Sequence, residues 1–379
     1  LVTLRVIVDQ IVAPVPGGIG RYTEELTREL ISTAPRGADV VGLVSASPQE
    51  DYDRLEMLLP GLAGLEKFKL QRRELRRAWA AGLGRVQGRG MVHATSLLAP
   101  LSKHDRVQNV SDQIVVTIHD TMAWSHPEVF SKERIAWNKT MAKRAHKYAD
   151  AVVVPSFAVA SQLSELYDFG DRIRVIGGAV SSKLKLPVDP DARAARMGLP
   201  ERYILSAGTL EPRKGIEPLI RSLAHPDATD LPLLIAGPSG AGGVDIQAIA
   251  ADAGLPPDRV RSLGFIADAD LAVAIAKADV FVVPSLAEGF GLAVIEAFSL
   301  GTPVVHSDAP ALLEVSAEAG LAVPREPAAQ YPERLAQAVS RVLADVELAQ
   351  QLRFSGPDRA RAFSWRDSAQ RVWQLHADL

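Results

Sequence analysis

Pro284-Ser285-Leu286-Ala287-Glu288-Gly289-Phe290-Gly291-Leu292-Ala293-Val294-Ile295-Glu296-Ala297 is the stretch that decides how this chain is read. An apolar run at 278–283 has the pattern of a buried strand, and it leads through a glycine-bearing turn into a helix. Glu288 stands before the turn and Glu296 inside the helix, with seven residues between them. Gly289 and Gly291 permit close backbone approach to a ligand, and the helix start offers unpaired amides to an anion. The layout suits a ligand with hydroxyls at both ends and a phosphate between, as in a sugar nucleotide. A tight turn with two solvated glutamates is the competing reading.

Outward from this stretch, short apolar runs alternate with helical segments, which implies parallel sheets in α/β layers. Strands are expected at 4–8, 39–44, 90–93, 114–118, 151–154 and 172–176, with helices including 21–33, 71–85, 132–148 and 157–166. Residues 177–200 break the rhythm with glycine, serine and proline and read as a linker. The alternation restarts with strands at 203–206, 233–236, 260–263, 278–283 and 303–306. A helical stretch at 332–352 and an amphipathic segment at 358–375 follow. The expected architecture is two doubly wound, Rossmann-like domains facing across a cleft. Ligands then bind beyond the carboxyl ends of the strands.

Composition bounds the function. The 379 residues suffice for two domains, and 47% are hydrophobic. With 42 basic and 45 acidic residues the net charge is -3, which argues against a nucleic-acid binder. The chain has no cysteine, so disulfides and thiolate metal sites are excluded. This fits a cytoplasmic location. No run reaches the roughly 18 apolar residues of a membrane-spanning helix. Strand-like sequence from the outset leaves no room for a signal peptide, and no function is attached to Leu1.

Three further motifs fall at expected strand ends. Gly208-Thr209-Leu210-Glu211-Pro212-Arg213-Lys214-Gly215 follows the first strand of the second half and opens a helix. Two cations at a helix start oppose the dipole by about 0.3–1 kcal/mol each. An external diphosphate would resolve that conflict, with a fork from Arg213 and a point charge from Lys214. Pro16-Gly17-Gly18-Ile19-Gly20-Arg21-Tyr22 can cradle a phosphate, although its spacing is not the dinucleotide fingerprint. Ile118-His119-Asp120 puts a histidine at a strand's carboxyl end, with Asp120 or a backbone carbonyl to orient the ring. Asp268-Ala269-Asp270 matches a metal-binding D-x-D but reads better as a helix cap. Residues 67–79, basic with Phe68, Leu70, Leu75 and Trp79 interleaved, read as a solvated helix face or an anionic-membrane contact.

In these motifs the chain resembles a retaining glycosyltransferase of family 4 with the GT-B fold. Gly17-Gly18, His119-Asp120, Arg213-Lys214, Glu288…Glu296, the run 301–305 and Glu314 follow the family's order over nearly the whole length. Ile176-Gly177-Gly178-Ala179-Val180 departs from the family's proline, asparagine and glycine before the valine. The resemblance implies an acceptor-binding domain at 1–177, a linker at 178–200 and a nucleotide-sugar domain at 201–356. Residues 357–379 would form a helix crossing back to the first domain. Arg213 and Lys214 would neutralise the leaving diphosphate, and Glu296 would bind the ribose. Glu288 would lie by the donor sugar, with amides around Phe290, Gly291 and Leu292 on its hydroxyls or phosphate. His119 would approach the donor sugar from the other domain. No metal or other cofactor is implied. The favoured donor is GDP-mannose, from the likeness to mannosyl- and rhamnosyltransferases of polysaccharide assembly, with a saccharide or lipid-linked acceptor. The alternatives are a sugar-nucleotide epimerase or hydrolase, a dinucleotide-dependent dehydrogenase and a non-catalytic sugar-nucleotide sensor.

Overall fold

A computed structural model describes residues 2–84, 86, 90–105, 108–109, 111–240 and 242–379. Leu1 and Arg85, the last residue of an expected helix, lie outside them. The chain forms two compact units. One contains Leu1–Pro127, Ser131–Gly178 and Ser364–Leu379; the other contains Glu128–Phe130 and Ala179–Phe363.

The first unit is built on a parallel sheet of strands β1 (Val2–Ile7), β2 (Ala38–Ala46), β3 (Gly64–Gln71), β4 (Met91–Ala94), β5 (Gln113–Thr117), β6 (Ala151–Val154) and β7 (Ile173–Val175). Their order is β3-β2-β1-β4-β5-β6-β7, a doubly wound sheet with β1 and β4 adjacent. Residues of β4, β5 and β6 are buried throughout, because helices cover both faces. Helices Lys132–Tyr148 and Phe157–Leu166 begin where hydroxyls permit, with Ser131 accepting from the Arg134 amide and Ser156 from Val159.

The second unit holds β8 (Ile204–Ala207), β9 (Leu233–Ala236), β10 (Val260–Gly264), β11 (Val280–Val283), β12 (Val304–Ser307) and β13 (Leu321–Val323). These run parallel in the order β10-β9-β8-β11-β12-β13. The two parallel α/β sheets have the layered architecture expected of the GT-B fold.

Several local expectations are corrected. The basic stretch 67–79 is not one helix: its first part is edge strand β3, and a helix runs over Arg72–Ala80. Lysines on an edge strand discourage pairing with another chain, so the charge run that looks helical has a strand's use. Leu75 and Trp79 are buried and Phe68 packs against the same core, so these apolar side chains face inward. β13 was not expected. The stretch expected as a linker carries a helix, Pro190–Arg196, whose Arg193 pairs with Asp270 at 2.8 Å. Asp270 therefore binds an arginine, and the residue at the N-cap of helix Asp268–Lys277 is Ala267. The expected helix 332–352 is divided at Asp345 into Tyr331–Ala344 and Val346–Ala360. Pro357 falls in the last turn of the second of these, and the final helix starts only at Trp365.

That final helix, Trp365–Asp378, completes the first unit. The Trp373 indole donates to Leu30 O at 3.1 Å, and Ser368 Oγ donates to Gly177 O at 2.8 Å. Trp365 and Trp373 are both buried, with Trp365 edge-on to Tyr22. Truncating either would cost about 3–5 kcal/mol. No helix of the described residues is long and apolar enough to cross a membrane.

Candidate functional site

In the second unit the loops after β8, β9 and β11 nest backbone against backbone. A Cβ on Gly215 would meet Pro284 O at 2.0 Å, and one on Gly237 would meet Gly208 O at 1.9 Å. Gly215 also has φ +66, so two independent constraints demand glycine there. The Leu286 amide donates to Arg213 O at 2.8 Å, tying the loop after β11 to the basic turn.

That tie brings together motifs 74 residues apart. Lys214 Nζ lies 2.5 Å from Glu288 Oε1, and Arg213 Nη1 lies 4.0 Å from Glu288 Oε2. Arg213 Nε is also 2.7 Å from Glu211 Oε2. Ser285 Oγ donates to Glu288 Oε1 at 2.8 Å. Burial alone would push the Glu288 carboxyl up. The charges of Lys214 and Arg213, with hydrogen bonds from Lys214 and Ser285, outweigh it and hold the carboxyl below its ordinary range.

Here the structure amends the sequence argument. Arg213 and Lys214 belong to a short 3-10 turn, Pro212–Lys214, which Gly215 separates from helix Ile216–Ser222. Two carboxylates match the two cations, so charge balance does not require an outside anion. Glu211, which the sequence reading gave no role, supplies half of that balance; its place two residues before Arg213 was the available signal. The turn is a preorganised ion-pair cluster at the carboxyl ends of β8 and β11.

The E-x7-E segment follows the expected course. Gly291, at φ +105, begins helix Leu292–Ser299 with no side-chain cap, leaving its first amides to other acceptors. A Cβ on Gly291 would strike Leu312 at 2.5 Å. Phe290 stacks edge-on to Phe363 with centroids 5.6 Å apart. Glu296 is buried one turn into the helix. Beyond β10, Phe265 is strongly exposed next to Gly264, at φ +62.

In the first unit, His119 follows β5. Its Nε2 lies 2.7 Å from the Thr95 carbonyl, so that nitrogen carries the proton. Burial lowers its pKa, against opposing effects of the Thr95 carbonyl and Asp120. The ring is therefore neutral at pH 7, and Nδ1 is left as an acceptor. Of the two orienting groups considered, the carbonyl holds the ring; Asp120 instead accepts from the Met122 amide at 3.0 Å. Tyr22 lies edge-on to the ring at 4.7 Å. Gly17 and Gly18 open helix Gly17–Ser32, and a Cβ on either would meet nothing within 4 Å. Packing does not explain glycine at position 18. The preceding turn is clamped: Arg72 bonds Asp9 and Gln10, and Gln10 Nε2 donates to Pro16 O at 3.1 Å. Arg76 stacks on Trp137, so Arg72 and Arg76 serve the fold's interior contacts. Among the described residues no group of three or more His, Cys, Asp or Glu could hold a metal ion.

Comparison with known proteins gives one consistent picture. A family model described as Glycosyltransferase Family 4 matches residues 16–183, and one described as Glycosyl transferases group 1 matches residues 191–359. The O-antigen chain mannosyltransferase B of Escherichia coli is 32% identical over 226 residues, covering 55% of this chain and 57% of that protein. A D-inositol 3-phosphate glycosyltransferase of Acidothermus cellulolyticus is 31% identical over 255 residues, covering 61% and 53%. The chain thus spans about half the length of the curated relatives it matches. Among solved structures, Anabaena Alr3699/HepE in complex with UDP and glucose superposes with a TM-score of 0.76 at 17% identity, covering 100% of both chains. Sucrose-phosphate synthase from Thermosynechococcus elongatus gives 0.74 at 24%, covering 100% and 99%. At these identities the solved structures speak for the fold.

Proposed function

The chain belongs to glycosyltransferase family 4 with the GT-B fold, and on that premise we propose that it moves a hexose from a nucleoside-diphosphate sugar to a saccharide or lipid-linked acceptor. The observation that carries this reading is the Arg213–Lys214–Glu288 cluster beside the uncapped start of helix Leu292–Ser299. Preorganised cations and helix N-terminal amides stabilise negative charge developing on a leaving diphosphate.

In the proposed reaction the bond between the anomeric carbon and the β-phosphate oxygen breaks. The acceptor oxygen bonds to that carbon on the same face, giving retention, and its proton passes to the departing phosphate oxygen. Arg213 and Lys214 take up the charge without a metal. Glu296 binds the ribose, Glu288 stands by the donor sugar, and His119 offers Nδ1 as a hydrogen-bond acceptor to a sugar hydroxyl. A covalent glycosyl-Glu288 is disfavoured, because a carboxylate held by Lys214 and Ser285 is a weak nucleophile.

Mannose as the transferred sugar, with GDP as carrier, draws its support from the likeness to the Escherichia coli mannosyltransferase. The inositol phosphate glycosyltransferases support a second reading, in which the acceptor is a phosphorylated cyclitol. A cytoplasmic location accords with a chain that has no cysteine.

Calorimetry with GDP-, UDP-, ADP- and dTDP-sugars, followed by transfer assays in chelator and NMR of the product anomer, tests the whole reading. Saturable binding of one donor, chelator-resistant transfer and a retained anomeric configuration are expected. A chain that binds none of the panel refutes the proposal, and an inverted product refutes the retaining step.

A further inference from the structure

The loop that carries Glu288 leaves the sheet when β11 ends at Val283. From Pro284 onward its carbonyls need donor partners that the strand ladder no longer supplies. Three successive ones receive side-chain donors from later in the chain. The Tyr331 hydroxyl donates to Pro284 O at 2.9 Å, and Ser307 Oγ donates to Ser285 O at 2.5 Å. The Arg325 guanidinium donates to Leu286 O. Arg325 is itself fixed by Asp308, whose Oδ1 accepts from Arg325 Nε at 2.7 Å and from its backbone amide at 3.1 Å.

Strand order gives these bonds a mechanical sense. β11 lies between β8 and β12, and β13 lies beyond β12. Ser307 ends β12, Arg325 follows β13 and Tyr331 opens the next helix, so all three hold the loop from one side. From the other side, beyond β8, Arg213 O accepts the Leu286 amide. Leu286 is thereby gripped by its N–H toward the basic turn and by its C=O toward Arg325. Glu288 follows two residues later, on a segment whose glycines would otherwise leave its position open.

We propose that Tyr331, Ser307 and Arg325, with Asp308 behind Arg325, are positioning residues for donor transfer: by holding the carbonyls of Pro284, Ser285 and Leu286 they fix where Glu288 stands against Lys214 and the donor sugar. The inference rests on the proposed function, which puts the donor at this cluster. Tyr331 is buried, and its hydroxyl acts through the loop. A displacement of about 1 Å at a reacting centre is enough to cost on the order of 10²-fold in rate. None of the four residues belongs to the motifs that identify the site in sequence.

The test uses the full chain and the donor identified by the panel above. Tyr331→Phe deletes one hydroxyl and keeps the ring that fills the core, so it preserves the fold if Arg325→Ala does not. Arg325→Lys keeps a donor with poorer geometry. Both Tyr331→Phe and Arg325→Ala are expected to lower kcat at least about 10-fold, up to about 10²-fold. The affinity for the sugar-free nucleoside diphosphate should stay within about twofold, because Arg213, Lys214 and the helix amides remain. Arg325→Lys should recover part of kcat.

A purely structural role would not move the pH profile, but this one does. Glu288 released from Lys214 returns toward the ordinary carboxylate range, so the acid limb of kcat shifts to higher pH. Wild-type kcat and an unmoved acid limb in folded Tyr331→Phe and Arg325→Ala overturn the inference. A wild-type chain that neither binds nor turns over any donor overturns the donor-site reading itself, and the inference with it.

Discussion

Replacing Lys214 by methionine separates what the ion pair does for the fold from what the cation does for the reaction. Lys214 and Glu288 are 2.5 Å apart, with side chains 21% and 10% exposed. Removing one partner of a fully buried pair costs about 3–5 kcal/mol, because the other charge is stranded. Here Lys214 reaches water and Arg213 remains 4.0 Å from the carboxylate, which brings the cost to about 2 kcal/mol. At about 2–4 °C per kcal/mol for a unit of this size, the melting temperature should fall by about 4–8 °C. Glu288→Gln added to Lys214→Met removes the stranded charge and should restore most of that loss. Turnover behaves differently. The leaving diphosphate loses a preorganised cation in the single and the double variant alike, worth about 10²–10³ in kcat, or about 2.7–4 kcal/mol. Scanning calorimetry and initial rates on the four corners of this cycle measure both terms. Recovery of turnover together with stability in the double variant would refute the reasoning, as would a single variant within tenfold of wild type.

Three further outcomes follow from burial and backbone geometry. His93 and His376 touch in the first unit, with Nδ1 of one 3.3 Å from Nε2 of the other, and His376 Nδ1 is 2.9 Å from Gln113 Oε1. Burial lowers His93 to about 4 and His376 well below its ordinary value, so both are neutral in the fold, while the unfolded chain takes up protons near 6.5. Their contribution to stability is thus full above about pH 6.5 and falls as pH drops toward 4, with a combined slope of about 2.7 kcal/mol per pH unit. Thermal melts of the first unit from pH 7 to 5 should show this loss, shallower by about half in His376→Leu; a flat profile would sink the idea. For the glycines, Gly215→Ala places a methyl 2.0 Å from Pro284 O and should unfold or derange the second unit. Gly18→Ala meets nothing within 4 Å and should keep or slightly raise the melting temperature. A raised KM in Gly18→Ala at unchanged stability is the mark of a loop that faces ligand.

Much of the fold was legible because its strands are buried on both faces. Val152–Val154 and Val280–Val283 are unbroken β-branched or aromatic runs that no amphipathic helix would carry. β3, GLEKFKLQ, was hidden for the opposite reason: an edge strand guarded by lysines looks like a charged helix face. β13 has three residues, too few for any periodicity to show. At the site, glycines and charges announced the loops, since their spacing is local. The Lys214–Glu288 pair joins residues 74 apart and was invisible, so the cations were assigned an outside partner. Tyr331, Ser307 and Arg325 left no trace, because donors to backbone carbonyls can come from many residue types at any separation.

Residues 364–379 belong structurally with residues 1–127 and 131–178. A ribosome making this chain completes the sequence of the second unit, ending at Phe363, before the helix bearing Trp365 and Trp373 emerges to cover Tyr22 and Leu30. Of the two units, the one begun first is therefore finished after the other. Until then the first unit exposes the apolar ground that this helix will occupy, the kind of surface that invites chaperones or aggregation. Deleting residues 364–379 should thus act as a lesion of the first unit.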